Sequence, residues 1–117
     1  MFDLAGKIAV VTGGSRGIGR AVSVALAEAG AHVIINYRSN EEAARETLRL
    51  VGEVGGAGEI LGFDVADPES VDAAIKDAVK RYGHLDILVN NAGISIDQLL
   101  LRVSAKDLEI TWATNLN

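Results

Sequence analysis

Two spacings of hydrophobic residues alternate along the chain. Lys7–Thr12 (KIAVVT) is a short, continuous apolar run, the pattern of a strand buried on both faces. From Gly17 to Ala29 the residues Ile18, Ala21, Val22, Ala25, Leu26 and Ala29 recur at helical spacing, and Gly30 closes that helix. His32–Tyr37 (HVIINY) reads as a second strand. Asn40 can cap a helix from Glu41 to about Val54 that turns Ala44, Leu48 and Val51 inward, with Gly55, Gly56 and Gly58 beyond it. Glu59–Val65 reads as a third strand. Asp67-Pro68 is an N-cap followed by proline at the first helical position. Val71, Ala74, Ile75, Ala78, Val79 and Tyr82 then repeat at helical spacing until Gly83. Leu85–Asn91 reads as a fourth strand. After a loop through Gly93, Ser104 and Asp107 carry a helix-start signature, and Leu108, Trp112, Asn115 and Leu116 share one helical face. The final TWATNLN therefore predicts the start of a helix with no stop signal.

Strand and helix alternate with short connections, which predicts an α/β fold. It is half of a doubly wound parallel sheet, in strand order 3-2-1-4, with helices on both faces. Ligands of such sheets sit outside the carboxyl ends of the strands, where the strand order reverses. Here that point lies between the first and fourth strands.

Composition narrows the function. The 117 residues are 49% hydrophobic and 23% charged, as in a globular domain. The net charge of −5 leaves no electrostatic footprint for nucleic acid. The chain contains no cysteine, so disulfides, thiol catalysis and cysteine-bound zinc are excluded. Asp3 and Lys7 interrupt the apolar start, so no signal peptide is expected. No apolar run approaches the ~20 residues of a membrane helix. These features predict a cytoplasmic protein without membrane contact.

The turn after the first strand reads TGGSRGIG, Thr12 to Gly19, with glycines at Gly13, Gly17 and Gly19 in a G-x-x-x-G-x-G arrangement. Glycine permits the sharp strand-to-helix turn and lets backbone approach a phosphate without an intervening Cβ. The N-terminus of the following helix adds free N–H groups and the positive end of its dipole. A loop that serves packing alone would also use glycine. Its position at the first strand-to-helix turn favours dinucleotide binding, by a single half-domain spanning residues 1–117. An NAD site would place an acid near the end of the second strand. That window reads NYRSN, Asn36 to Asn40, with no acid before Glu41. Arg38 stands there instead, and Arg16 lies within the glycine loop. Two guanidinium groups suit the extra 2′-phosphate of NADP(H), each contact worth about 1.5–3 kcal/mol.

TGGSRGIG, Asp64 after the third strand, NNAG at Asn90–Gly93 and Asn115 in TNL together resemble the compact short-chain dehydrogenases/reductases. The wording is closest to the 3-oxoacyl-[acyl-carrier-protein] reductases. The resemblance implies that Thr12, Gly13, Ser15, Arg16, Gly17, Ile18 and Gly19 line the cofactor phosphates and ribose. It implies that Arg38 meets the 2′-phosphate and that Asp64 and Val65 hold the adenine edge. It places Asn91, Ala92 and Gly93 beside the ribose. It gives Asn115 a place in a proton relay, holding a water. The bland readings are that Asp64 caps a turn and that Asn90, Asn91 and Asn115 are structural. His32, His84 and Trp112 read as ordinary.

The family's chemistry also requires a Tyr-x-x-x-Lys pair and a serine. Tyr37 is followed four residues later by Glu41 and Tyr82 by Asp86, so neither tyrosine has its lysine. Ser95 and Ser104 do not match the catalytic serine. The chain therefore reads as the N-terminal half of a reductase, broken within its last helix. Such a half would expose the fourth strand as an apolar edge. Three functions follow as expectations: half of an NADPH-dependent ketoreductase, a cofactor-binding module without catalysis, and a half-fold that self-associates as a homodimer through strand four.

Overall fold

The computed structural model describes residues 3–91 and 111–114. The elements run β1 (Ile8–Thr12), α1 (Gly17–Glu28), β2 (His32–Tyr37), α2 (Glu41–Glu53), β3 (Ala57–Gly62), α3 (Pro68–Tyr82), β4 (Ile87–Asn90) and β5 (Thr111–Thr114). All pairings are parallel, in the order β3-β2-β1-β4-β5. The expected 3-2-1-4 arrangement is present, with a fifth strand added at its end.

β1 lies at the centre, and all five of its residues are buried. Alternation splits it between two cores. Ile8 and Val10 join Ile34, Phe63, Leu85 and Leu88 beneath Val71, Ala74, Ile75 and Ala78 of α3. Ala9 and Val11 join Val33, Ile35, Ile87 and Val89 beneath Ala27 of α1 and Ala44 and Val51 of α2. Burial on both faces explains why these strands read as continuous apolar runs.

Local stop and start signals act as their chemistry requires. The Asn40 side chain accepts from the Ala43 N–H at 3.0 Å and opens α2. Asp67 accepts from Glu69 N–H at 3.2 Å, with Pro68 in the first turn of α3. Gly83 ends α3 at a φ of 85°, a left-handed conformation suited to glycine. β3 begins two residues before the expected Glu59 and ends at Gly62, because Asp64 starts a turn: it accepts from Ala66 N–H at 2.9 Å.

Three expectations are corrected. The apolar stripe assigned to α1 packs only in part: Val22 and Leu26 lie against the core, whereas Ile18 is 42% exposed and Ala21 and Ala25 are also exposed. Gly19, Ser23 and Ala27 are buried instead, because small residues one turn apart let the helix lie close to the sheet and the glycine loop. The helix expected through Thr111–Asn117 is overturned at Thr111–Thr114, which forms β5. Its register pairs Ile87 with Thr111, Leu88 with Trp112, Val89 with Ala113 and Asn90 with Thr114. Threonine and tryptophan favour strand backbone, and the outer side of β4 offers N–H and C=O groups that need partners. β4 is consequently not an edge, so self-association through strand four has no free strand to use. Positions 104–110 and 115–117 of the expected helix lie outside the described residues. Among the described residues no helix is long and apolar enough to cross a membrane.

Candidate functional site

At the carboxyl end of β1 the chain must leave a fully buried strand and enter α1. Its polar groups are held from both sides. Thr12 is buried; its hydroxyl donates to the Val89 carbonyl at 3.1 Å and accepts from the Asn91 N–H at 2.9 Å. The next residue, Gly13, has a φ of 64°. Its N–H donates to Asn36 Oδ1 at 3.0 Å, and its carbonyl accepts from Asn91 Nδ2 at 3.2 Å. One asparagine from the end of β2 and one from beyond β4 therefore clamp Gly13, one on the peptide before it and one on the peptide after it.

The two later glycines answer different demands. Gly17 has a φ of 57°, and a Cβ there would meet only open space, so backbone conformation selects the residue. A Cβ on Gly19 would run into the Gly13 carbonyl oxygen and stand 2.7 Å from Asn91 Nδ2, so close packing selects it. α1 opens at Arg16 with no side-chain cap and no acidic residue in its first turn. Its first N–H groups lack intrahelical acceptors, as in any helix, and here no side chain substitutes for them. The end of α1 is thus suited to an anion.

A cleft of about 280 Å³ opens from this loop along the carboxyl ends of β2 and β3. Gly13, Ser15, Arg38, Asp64 and Val65 line it, joined by Asn36, Tyr37, Phe63 and Ala66. Arg38 is 80% exposed and its Nε lies 3.7 Å from Asp64 Oδ2 across the mouth. Asp64 also closes its own turn, so the capping and site positions coincide. Glu41, the first acid after β2, accepts from Tyr37 Oη at 3.1 Å and from Arg45 Nε at 2.9 Å. Hydrogen bonding from Arg45, then from Tyr37, holds its carboxyl below the usual value. The Glu41 bond in turn raises the Tyr37 phenol.

Of the other expected residues, Thr12 and Asn91 stand behind the loop as its supports. Arg16, Gly17 and Ile18 are exposed at the start of α1, and Gly19 is buried beneath. Ala92, Gly93 and Asn115 lie outside the described residues. Sequence reasoning passed over Asn36, which is 3% exposed and whose Nδ2 also donates to the Phe63 carbonyl at 2.9 Å. The available signal was a polar residue ending an otherwise apolar strand. It also passed over Thr47, fully buried within the inward stripe of α2. Among the described residues no group of three His, Asp or Glu side chains could hold a metal ion.

A family model described as short chain dehydrogenase matches residues 7–117. The chain is 42% identical over 110 residues to the 3-oxoacyl-[acyl-carrier-protein] reductase FabG of Staphylococcus aureus, covering 94% of this chain and 45% of that protein. It is 48% identical over 114 residues to 3beta-hydroxysteroid dehydrogenase 1 of Eggerthella lenta, covering 97% of this chain and 44% of that protein. A crystal structure of a metagenomic short-chain oxidoreductase in complex with NADP superposes with a TM-score of 0.74 at 37% identity, covering 78% of this chain and 41% of that one. The chain spans about half the length of the curated relatives it matches.

Proposed function

The chain belongs to the short-chain dehydrogenase family, and from that membership we propose that it is the NADP(H)-binding half of a reductase acting on a 3-oxoacyl thioester or similar ketone. The observation that carries this reading is the single cleft that joins the glycine loop to Arg38 and Asp64. In it, the loop from Thr12 to Gly19 holds the pyrophosphate and adjoining ribose, through backbone N–H groups and the dipole of α1. Arg38, with Arg16, takes the 2′-phosphate; Asp64 and Val65 take the adenine edge. Asn91, Ala92 and Gly93 pass beside the ribose, and Asn115 holds a relay water in the full-length reductase.

The residues present fit the cofactor. Cβ atoms are missing where backbone must come close, and the first acid after β2, Glu41, is engaged by Arg45 rather than offered to a ribose 2′-hydroxyl. NADPH supplies the hydride when bound. These 117 residues supply binding and orientation alone, since they hold no Tyr-x-x-x-Lys pair to deliver a proton. The ketone is assigned from the reductase wording of the sequence and from the FabG relative.

Fluorescence titration of the chain with NADPH and NADH tests the reading. NADPH should bind more tightly, and Arg38→Ala should weaken NADPH roughly tenfold while leaving NADH nearly unchanged, the loss of one charge-assisted contact. A folded chain that binds neither cofactor, or an Arg38→Ala variant with an unaltered preference, overturns it.

A further inference from the structure

Arg20 lies one turn into α1, and its guanidinium reaches back beneath the glycine loop toward α2. Nη2 donates to the Ser15 carbonyl at 2.8 Å and to the Ala43 carbonyl at 3.0 Å. Nε donates to Thr47 Oγ1 at 2.9 Å. Thr47, fully buried in α2, donates to the same Ser15 carbonyl at 2.9 Å. Two donors from two helices therefore converge on one loop oxygen. All three of these Arg20 hydrogen bonds go to neutral oxygens, so the side chain is spent on geometry rather than on an ion pair.

A trans peptide is planar, and its C=O and N–H point in opposite directions; no cis bond occurs among the described residues. Drawing the Ser15 carbonyl toward α2 therefore turns the Arg16 N–H to the opposite side of the loop. We propose that Arg20, acting with Thr47, is a positioning residue for nucleotide binding: it sets the Ser15–Arg16 peptide so that this N–H is presented to a cofactor phosphate. The proposal rests on the cofactor reading above. Arg20 touches no ligand in this scheme; it couples the loop to α2 through a fork that lysine cannot reproduce.

The test compares two ligands, NADPH and 2′-AMP, the latter carrying adenine, ribose and 2′-phosphate without a 5′-phosphate. Arg20→Met should weaken NADPH roughly tenfold, the effect of one misplaced donor to an anion, and weaken 2′-AMP clearly less, since Arg38, outside the loop, still meets its phosphate. Thr47→Val, which removes no charge, should weaken NADPH in the same selective way. Arg20→Lys should restore only part of the loss. Equal losses for both ligands, full recovery with lysine, or unchanged NADPH binding in both neutral variants would each overturn the proposal. If the unaltered chain binds neither ligand, the cofactor reading fails, and amide hydrogen exchange decides the positioning separately. Faster exchange in Arg20→Met confined to Gly13–Gly17 sustains it; an unchanged loop ends it.

Discussion

Two glycines in one loop make the same demand in sequence and different demands in space. Gly17 needs a left-handed backbone but has room for a methyl group. Gly17→Ala should cost about 1–2 kcal/mol, the penalty of that conformation for an L-residue. Gly19 lies buried against the Gly13 carbonyl and Asn91. Gly19→Ala must displace backbone, and overpacking typically costs about 1–3 kcal/mol and occasionally more. Urea unfolding of the two variants should place Gly19→Ala as the less stable; the reverse order would mean that conformation, not packing, governs the loop. The motif itself was legible because its spacing is local. Asn36 and Thr47 were not, because each acts on the loop from elsewhere in the chain; Arg20 adjoins the motif, but its bonds to Ala43 and Thr47 span 23 and 27 positions. Gly13 meets Asn36 across 23 positions and Ser15 meets Thr47 across 32. No window of residues displays such a pair; only the folded sheet and its two helices bring them together.

Among the elements, chemical punctuation was the surest guide to the helix ends, and periodicity misled only in part of α1 and at Thr111–Thr114. Asn40, Asp67-Pro68 and Gly83 each satisfy particular backbone groups at a helix end, so their meaning does not depend on what packs nearby. The stripe of α1 held at Val22 and Leu26 and failed at Ala21 and Ala25, because alanine is apolar enough to complete a helical pattern yet costs little when exposed. The helix also buries Gly19 and Ser23, because closeness decides the part of the contact next to the glycine loop. Thr111–Thr114 failed for a related reason. Apolar residues spaced for a helix also include a short stretch suited to a strand, and the open side of β4 decides between them. Hydrogen exchange along β4 checks this outcome. Alternate N–H groups of a central parallel strand face opposite neighbours, so every amide from Ile87 to Asn90 should exchange slowly. Alternating slow and fast amides would leave β4 as an edge and return Thr111–Thr114 to the helix.

The two ends of the sheet carry different charged groups. The carboxyl end carries Arg16, the acid-free opening of α1, and Arg38 beside Asp64. Near the other end, Glu59 of β3 lies 2.9 Å from Arg81, against the Tyr82 hydroxyl, and 3.5 Å from His32 at the start of β2. Tyr82 is also 3.0 Å from His32 Nε2, and Arg81 continues to Asp77 at 2.9 Å. Burial pushes the Glu59 carboxyl upward, but hydrogen bonds from Arg81 and Tyr82 and the charge of Arg81 outweigh it and hold the group below its ordinary value of 4.5. A depressed carboxyl stabilises the fold above its unfolded value, and that contribution disappears as pH falls through the lower folded value. Tyr82 shifts the other way: burial, then the bond to Glu59, raises the phenol above 10.0. A raised phenol contributes fully below its unfolded value and is lost as pH rises through the folded one. One contact therefore bounds a stability plateau on both sides, with an acid flank below about 4.5 and an alkaline flank above about 10. Thermal melting across that range should show both flanks. Glu59→Gln should reduce the acid flank, to which Glu41 and Glu46 also contribute, and weaken the alkaline one, because the same carboxylate helps to hold the phenol protonated. Tyr82→Phe should remove the alkaline contribution while leaving the Arg81–Glu59 pair to sustain much of the acid one. If Glu59→Gln left the alkaline flank untouched, the two groups would be titrating independently and the contact would not couple them.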